Sequence, residues 1–497
     1  MDLLFSCPSV PANQASVLSG SLSLAIGPDL PFTRVYLDSF DWRLYKQGLH
    51  LVVEEHGGIR ELILLDQEEL GRMPLRTMPR FAEELPEEWR KRLCRTLDIR
   101  ALLPQIELLG EIRLLGPRDM DGAPACISIE TYATEPALPA RLRIPPIFGK
   151  GVRRTLEPLM GVLELRPAEA SLLDDLLRLQ GRSAEDPSAL RLGDLDPNLP
   201  AHDAARKVLL QLLAILEINL PGVLAEWDTE FLHDFRVAVR RSRSILGQLK
   251  QVFPARERER YARWLNGLGK LTGETRDLDV YLLHFLNLEQ SLSEPMRADL
   301  APLHEFLERH ARESHQRINR SLRTREFSRR LTSWREFLES PQAKSAVALN
   351  ADVPIGELAH KRIRKLHRRL LDEGMAIHEQ TPASIIHELR KSAKKLRYLL
   401  EFFRNFYPAE KIQLLLKSLK ELQEYLGEFQ DTCVQLERLR TYGETMHGEG
   451  VSPACLLAIG ALLNRLYARQ QKLRDGFSTK FTRFQEESIR LKVRQWL

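Results

Sequence analysis

The sequence predicts a multidomain protein: an amino-terminal α+β unit, mostly antiparallel β, followed by all-α tandem helical bundles related by a pseudo-twofold internal repeat. Three observations carry that prediction. Short β-type runs bounded by Gly, Pro and Asp fill residues 1 to about 165. Apolar residues at helical spacing run almost without pause beyond about 204, and that second region repeats itself at a fixed offset of 154 residues. At 497 residues, two or three domains are expected, and 43% apolar content supports folding rather than disorder.

In chain order, the runs 21–26, 49–53, 60–65, 106–109, 112–115 and 126–131 read as strands, with a helix at 87–94 among them. They suggest a meander whose reasonable closure is a barrel. Glu107 and Glu130 read as isolated, solvated strand acids. A Leu-rich helix at 171–179 leads into a stretch rich in Pro, Asp, Gly and Ser, which marks a linker. The expected organisation is therefore 1–180 for the β-rich domain, 181–203 for the linker and 204–497 for the helical domain, with repeats at about 204–340 and 358–494. Helical periodicity recurs at 204–219, 230–252, 255–271, 277–287, 297–339, 356–372, 383–406, 409–426, 430–440 and 453–494.

Charge separates the two regions. Residues 1–200 hold 23 Lys+Arg against 30 Asp+Glu, whereas residues 201–497 hold 50 against 38, so a net −7 is followed by a net +12. A polyanionic partner for the carboxy-terminal region is the expectation. The five cysteines are odd in number and widely spaced, which suggests neither a disulfide framework nor a zinc cluster and fits a reducing cytoplasm. The amino terminus lacks a basic n-region, and the most apolar helical window, 208–220, is interrupted by Gln211 and Glu217. Neither a signal peptide nor a membrane span is expected.

The repeat is clearest in two basic helices, 233–254 and 387–408. At 100° per residue His387, Arg390, Lys394 and Arg397 share one face, with Lys391 and Lys395 beside them, while Leu389, Ala393, Leu396, Leu400 and Phe403 lie opposite. His233, Arg236, Arg240 and Arg243, with Arg241, repeat the stripe against Phe235, Val239, Ile245, Leu246 and Leu249. At the same offset Pro254 meets Pro408, Gly273 meets Gly427, Glu274 meets Glu428, Asp277 meets Asp431 and Phe327 meets Phe481. Two equivalent bundles should pack about a pseudo-twofold axis, and helices near it would bring their cationic faces together. Like charges at i, i+3 and i+4 repel by a few tenths of a kcal/mol per pair. A dense stripe is therefore better explained with an anion to neutralise it than as a solvated face.

Further candidates are the basic run 360–369, in which His360, Arg364 and His367 share a face, together with Lys207, Lys417 and Lys420. The first bundle keeps mainly Arg206 and Lys207 of that run, so the site should be asymmetric. Glycines 273 and 427 read as ending or bending one helix, and Asp277 and Asp431 as opening the next. His233 and His387 either contact phosphate or orient their helix starts; neither has the further partners a metal site needs. No catalytic residue, metal ligand or cofactor site is singled out.

The pattern His-x-x-Arg-x-x-x-[Arg/Lys]-[Arg/Lys]-x-Arg, present at 233–243 and again at 387–397, resembles the signature of the CHAD family, the conserved-histidine α-helical domain. The resemblance covers about 204–494 and implies tandem helical bundles whose basic central surface binds inorganic polyphosphate. It also implies a frequent fusion behind a CYTH, or triphosphate-tunnel, domain. The segment 35–58, with Tyr36, Asp38, Ser39 and Asp41 ahead of Gly48-Leu49, is similar to part of the CYTH family. That family's early Glu-x-Glu-x-Lys strand is missing, since 21–26 reads Ser-Leu-Ser-Leu-Ala-Ile. The expected tunnel is therefore degenerate, and the chain is expected not to be an enzyme. The resemblances imply a cytoplasmic polyphosphate-binding protein, with recruitment to polyphosphate granules as an extension. The alternatives are a triphosphatase or polyphosphatase working through the CYTH-like domain, or a nucleic-acid binder. The basic faces lack interleaved aromatics for base stacking, which disfavours single strands.

Overall fold

The computed structural model describes residues 3–7, 11–66, 68–116, 126–145, 157–168, 170–189, 195–340, 348–491 and 493–496. It divides into two compact units, Met1–Pro187 and Ser188–Leu497. The first unit runs past the sequence boundary at 180 because Arg182 donates to the Gln105 carbonyl at 2.7 Å and Ala184 packs on the same core as the sheet. Of the 181–203 linker, residues 190–194 lie outside the described residues.

The first unit comprises β1 (Leu3–Cys7), α1 (Pro11–Leu22), β2 (Ala25–Asp38), β3 (His50–His56), β4 (Ile59–Asp66), β5 (Glu68–Pro74) and α2 (Glu87–Leu97). It continues through β6 (Leu103–Gly116), β7 (Ile127–Tyr132), β8 (Ala140–Ile144), α3 (Leu159–Val162), β9 (Arg166–Pro167) and α4 (Leu172–Leu179). One sheet orders these strands 5-4-3-2-6-7-8-1-9, every described pairing antiparallel. Arg143 on β8 lies 4.0 Å from Glu69 on β5, far away in strand order, so the sheet is strongly rolled. Strands β5 and β9 are its edges; no described pairing joins them into a closed barrel.

Two expected strands change form. Residues 21–22 end α1, because Ala15 and Leu18 bury on a helical face, and β2 begins only at Ala25. The runs 106–109 and 112–115 are one strand, β6. Gly110 lets it pass: a Cβ there would meet the Thr131 carbonyl at 2.3 Å and the Phe32 ring at 2.7 Å. The convex face packs Leu37, Leu51, Val53, Leu62 and Leu64 on Trp89, Leu93 and Leu97 of α2. The concave face packs Phe32, Tyr36, Val52, Ile63, Ile106 and Leu108 on Leu172, Leu173, Leu176 and Leu177 of α4.

The second unit is helical: α5 (Ala201–Ala225), α6 (Thr229–Gln248), α7 (Ala255–Leu271), α8 (Gly273–Leu283), α9 (Phe285–Gln290), α10 (Glu294–Arg297), α11 (Ala301–Leu322) and α12 (Arg325–Glu339) form the first repeat. The second comprises α13 (Ile355–Met375), α14 (Ala383–Phe402), α15 (Ala409–Gly448), α16 (Pro453–Asp475), α17 (Phe477–Arg490) and α18 (Val493–Trp496). Helix α5 is long and apolar enough by length and composition to cross a membrane, contrary to the sequence expectation. Its Val208, Leu209, Leu212, Leu213 and Leu216 are instead buried in this unit.

Residues 154 apart meet one another, which only a twofold relation allows. Pro200 bridges Pro354 in antiparallel fashion, flanked by the matched bonds Ala201 N–H to Val353 O (2.9 Å) and Ile355 N–H to Leu199 O (2.8 Å). The Tyr281 hydroxyl donates to the Gln435 carbonyl at 3.0 Å. The pseudo-twofold axis therefore runs between the chain entries to α5 and α13 and between α8 and α15.

Candidate functional site: a basic cleft at the pseudo-twofold axis

Each basic helix is amphipathic, and its apolar side fixes it in the core: Phe231, Phe235, Val239, Ile245 and Leu246 on α6, Leu389, Ala393, Leu396, Leu399 and Leu400 on α14 are all buried. With that face committed, the opposite stripe must point away from each bundle's core. The axis then brings the two stripes together. They line a cleft of about 890 Å³ whose walls include His233, Arg240 and Arg241 from α6 and Arg390, Lys394 and Arg397 from α14, with Arg469 from α16. Asp234, Glu424, Glu428 and Asp431 also line it.

Tyr398 ties the stripes to each other. Its hydroxyl accepts from Arg240 Nε at 2.5 Å, and the guanidinium carbons of Arg240, Arg241 and Arg397 lie 5.9, 5.9 and 5.7 Å from its ring centre. Glu401 accepts from Arg241 at 2.9 Å and pairs with Arg397 at 3.1 Å. These contacts hold arginines of both repeats in one rigid wall. Tyr398 is absent from the sequence argument because its equivalent is Ser244, so the repeat itself gave no signal.

The field in the cleft is positive. Burial, reinforced by Arg240 and Arg390, pushes the Lys394 ammonium down to about 7 despite Asp431 nearby. Burial and the cations Arg276, Arg240 and Arg236 hold His233 down at about 4, so its ring is neutral at physiological pH. His387 is also lowered, first by burial; its Nδ1 donates to Gln430 Oε1 at 2.7 Å, leaving Nε2 as the acceptor of the neutral ring.

The remaining candidates divide by position. Arg236 donates to the Gly269 carbonyl at 3.1 Å and to Thr272 Oγ1 at 2.8 Å, tying α6 to the end of α7, and Arg243 lies beside Gly269. Lys391 is exposed and paired with Glu388 at 2.8 Å; Lys395 flanks the stripe without lining the cleft. Lys207, Arg364, Lys417 and Lys420 are exposed outside the cleft, with Lys420 3.6 Å from Glu424, and His360 lies against Tyr407 with ring centres 6.4 Å apart. His367 is buried at 4% exposure near Phe484, because its helix turns that position into the bundle core; it is not on the surface its spacing suggested. Arg206, taken as a relic of the third basic run, donates to the Leu338 and Glu339 carbonyls and closes the end of α12.

Of the two glycine–aspartate pairs, Gly273 stands at a helix junction as expected, but the second pair does not. Gly427 and Asp431 sit inside the unbroken 40-residue α15 and line the cleft, with Asp431 3.8 Å from Arg390. Gly273 starts α8, and Asp277 pairs with Arg438 at 2.6 Å. The asymmetry lies there too. In the first repeat Arg276 pairs with Glu230 at 3.1 Å, whereas the equivalents in the second are Gln430 and Ser384. The Arg276–Glu230 pair beside His233 thus has no counterpart in the second repeat.

In the β unit the concave face carries charges that neutralise one another. Arg34 pairs with Glu54 at 2.5 Å and with Glu130 at 3.0 Å, and Arg72 with Glu54, Glu61 and Glu69 at 3.4, 2.6 and 3.1 Å. Glu130 is therefore not the solvated acid its isolation suggested: burial would raise its carboxyl, but Arg34 holds it low, and the Tyr132 hydroxyl donates to it at 3.0 Å. Asp38 of the 35–58 segment accepts the backbone N–H groups of Ser39, Leu44 and Tyr45, a turn-building role. Among the described residues no group of three or more His, Cys, Asp or Glu is arranged to hold a metal ion.

Fold and site together define a tandem helical bundle with an axial cationic cleft, behind a rolled antiparallel sheet. The CHAD domain family model matches residues 207–440. The CHAD domain of the plant Ricinus communis superposes with a TM-score of 0.50 at 25% identity, covering 59% of this chain and 95% of that one. PptA from Streptomyces chartreusis aligns at 0.45 and 16% identity over 58% of this chain and 99% of that one. HpAC1 from Hippeastrum, described as having a dominant triphosphatase activity, aligns at 0.28 and 12% identity over 37% and 96%. No curated protein matches the chain in sequence.

Proposed function

We propose that this protein binds inorganic polyphosphate in the axial cleft of the helical region matched by the CHAD domain family model. The observation that carries the reading is the convergence of Arg240 and Arg241 with Arg390, Lys394 and Arg397 across the pseudo-twofold axis. Polyphosphate offers about one negative charge per phosphate and no base to recognise. A binder needs many cations on rigid elements, with arginine forks able to bridge two oxygens and lysine as a point charge. Two packed helices locked through Tyr398 supply that arrangement, and the depressed Lys394 marks a surface that gains by accepting an anion. The walls present no aromatic face for stacked bases beyond Tyr398, whose ring is already flanked by three arginines, which favours polyphosphate over single-stranded nucleic acid. Recruitment to polyphosphate granules in the cytoplasm follows from the same chemistry.

A triphosphatase reading would place the reaction in the β unit. The pairing of Arg34 and Arg72 with four carboxylates of the same face speaks against it, because those cations already have partners. Competition at equilibrium between long-chain polyphosphate and duplex DNA or RNA tests the binding reading; nucleic acid displacing polyphosphate at equal phosphate concentration would refute it. Phosphate release from tripolyphosphate with Mg²⁺ or Mn²⁺ tests the enzymatic one.

A further inference from the structure

A second cationic pocket lies apart from the axial cleft and shares no residue with it. It measures about 520 Å³ and sits where the chain leaving α6 meets the outer face of α13. Lys250 and Arg258 come from the first repeat, Lys361, Arg362 and Lys365 from the second; no carboxylate lines it. Its base is apolar and fixed: Phe253 and Leu358 are buried, and Asn350 holds the loop by donating to the Gln251 and Lys250 carbonyls at 2.9 and 2.8 Å.

Several surface cations of the second repeat pair with acids along their own helices, as in Arg369–Glu373 at 2.5 Å, Lys391–Glu388 at 2.8 Å and Lys420–Glu424 at 3.6 Å. Among the described residues no ion pair of this kind engages Lys250, Lys361, Arg362 or Lys365, and only Arg258 has a carboxylate neighbour, Glu259 at 3.1 Å. Lys361 and Lys365 also repel as an i, i+4 pair. The internal repeat provides a control on whether the fold requires these charges. At the equivalent positions Arg362 becomes Val208, Lys365 becomes Gln211 and Arg258 becomes Ile412, whereas Lys361 and Lys250 correspond to Lys207 and Arg404; α5 and the start of α15 are helical all the same. The charges of Arg258, Arg362 and Lys365 are therefore not a condition of forming these helices.

From this we infer that the Lys250–Arg258–Lys361–Arg362–Lys365 pocket is a second binding site, for a compact phosphoanion carrying several negative charges. The anion is either a free short phosphoanion or a segment of a polymer also held at the axis. The inference does not depend on what the axial cleft binds.

The test titrates tripolyphosphate, and separately long-chain polyphosphate, into the full chain by calorimetry. Lys361→Glu/Lys365→Glu should lower tripolyphosphate affinity at this pocket at least tenfold, while Arg390→Glu/Lys394→Glu leaves that binding event in place. Loss of short-anion binding with unchanged long-chain affinity assigns a free anion; loss of both assigns the polymer. Unchanged tripolyphosphate binding in the Lys361/Lys365 variant overturns the site. So does an equal loss in Lys417→Glu/Lys420→Glu, which removes the same charge from exposed lysines outside the pocket. If circular dichroism shows the glutamate variant misfolded, Lys361→Gln/Lys365→Gln is read by the same outcomes.

Discussion

Lys394 is where burial and chemistry meet most directly. Its ordinary value of 10.5 is lowered to about 7 by burial and by Arg240 and Arg390, so near neutrality the empty cleft holds it only partly charged. A bound polyanion favours the charged form, so binding should take up a proton above pH 7, and affinity should rise as pH falls from 8 to 6. Calorimetry in buffers of different ionisation enthalpy reads the proton directly; Lys394→Met should abolish the uptake. The stability of the free protein runs the other way. Between about pH 7 and 10 the unfolded chain binds more protons at this residue than the folded one, so folding stability rises with pH over that window relative to Lys394→Met. His233 stays neutral down to about 4, so it does not carry this pH dependence. In the β unit, Arg34→Met would leave Glu54 and Glu130 facing each other without their shared cation. We expect a loss of about 3 kcal/mol in the first unfolding transition of the full chain, read by urea titration.

At the scale of elements, the basic helices were legible because two signals coincide on them, a helical wheel divided by charge and an in-register copy. Their apolar faces pack as the wheel demands, and the stripes face the axis for that reason. His367 was misread because a wheel orders residues around a helix but does not say how wide the buried arc is, and the α13 arc extends to it. Gly427 was misread because glycine at a helix end and glycine inside a helix look alike in sequence. The concave arginines Arg34 and Arg72 were missed for a related reason. Their inward direction depends on strand register, and β2 was visible only in part without its partner β6. Close packing of α13 on α17 offers a test of the helical frame. A Cβ on Gly374 would lie 2.0 Å from the Phe481 ring, so Gly374→Ala should destabilise by about 1–3 kcal/mol in thermal or urea unfolding, with no direct effect on the cleft.

At the scale of the whole molecule, duplication explains both the symmetry and its breaking. A 154-residue offset places equivalent residues against each other at Pro200–Pro354 and Tyr281–Gln435, so a cationic stripe that arises once is presented twice to a common axis. Divergence then gave the first repeat an Arg276–Glu230 pair where the second has Gln430 and Ser384, and it placed Arg362 and Lys365 where the first repeat has Val208 and Gln211. Binding through so many ionic contacts should weaken steeply with salt: log affinity falls linearly with log salt, at a slope set by the number of cations engaged. Removing one arginine such as Arg397 should flatten that slope by about one unit. The most direct measurement is the affinity for long-chain polyphosphate of the full chain carrying Arg390→Glu, Lys394→Glu and Arg397→Glu, at matched helicity and moderate salt. We predict that binding at the axial cleft is abolished; wild-type affinity in that folded variant would contradict the assignment.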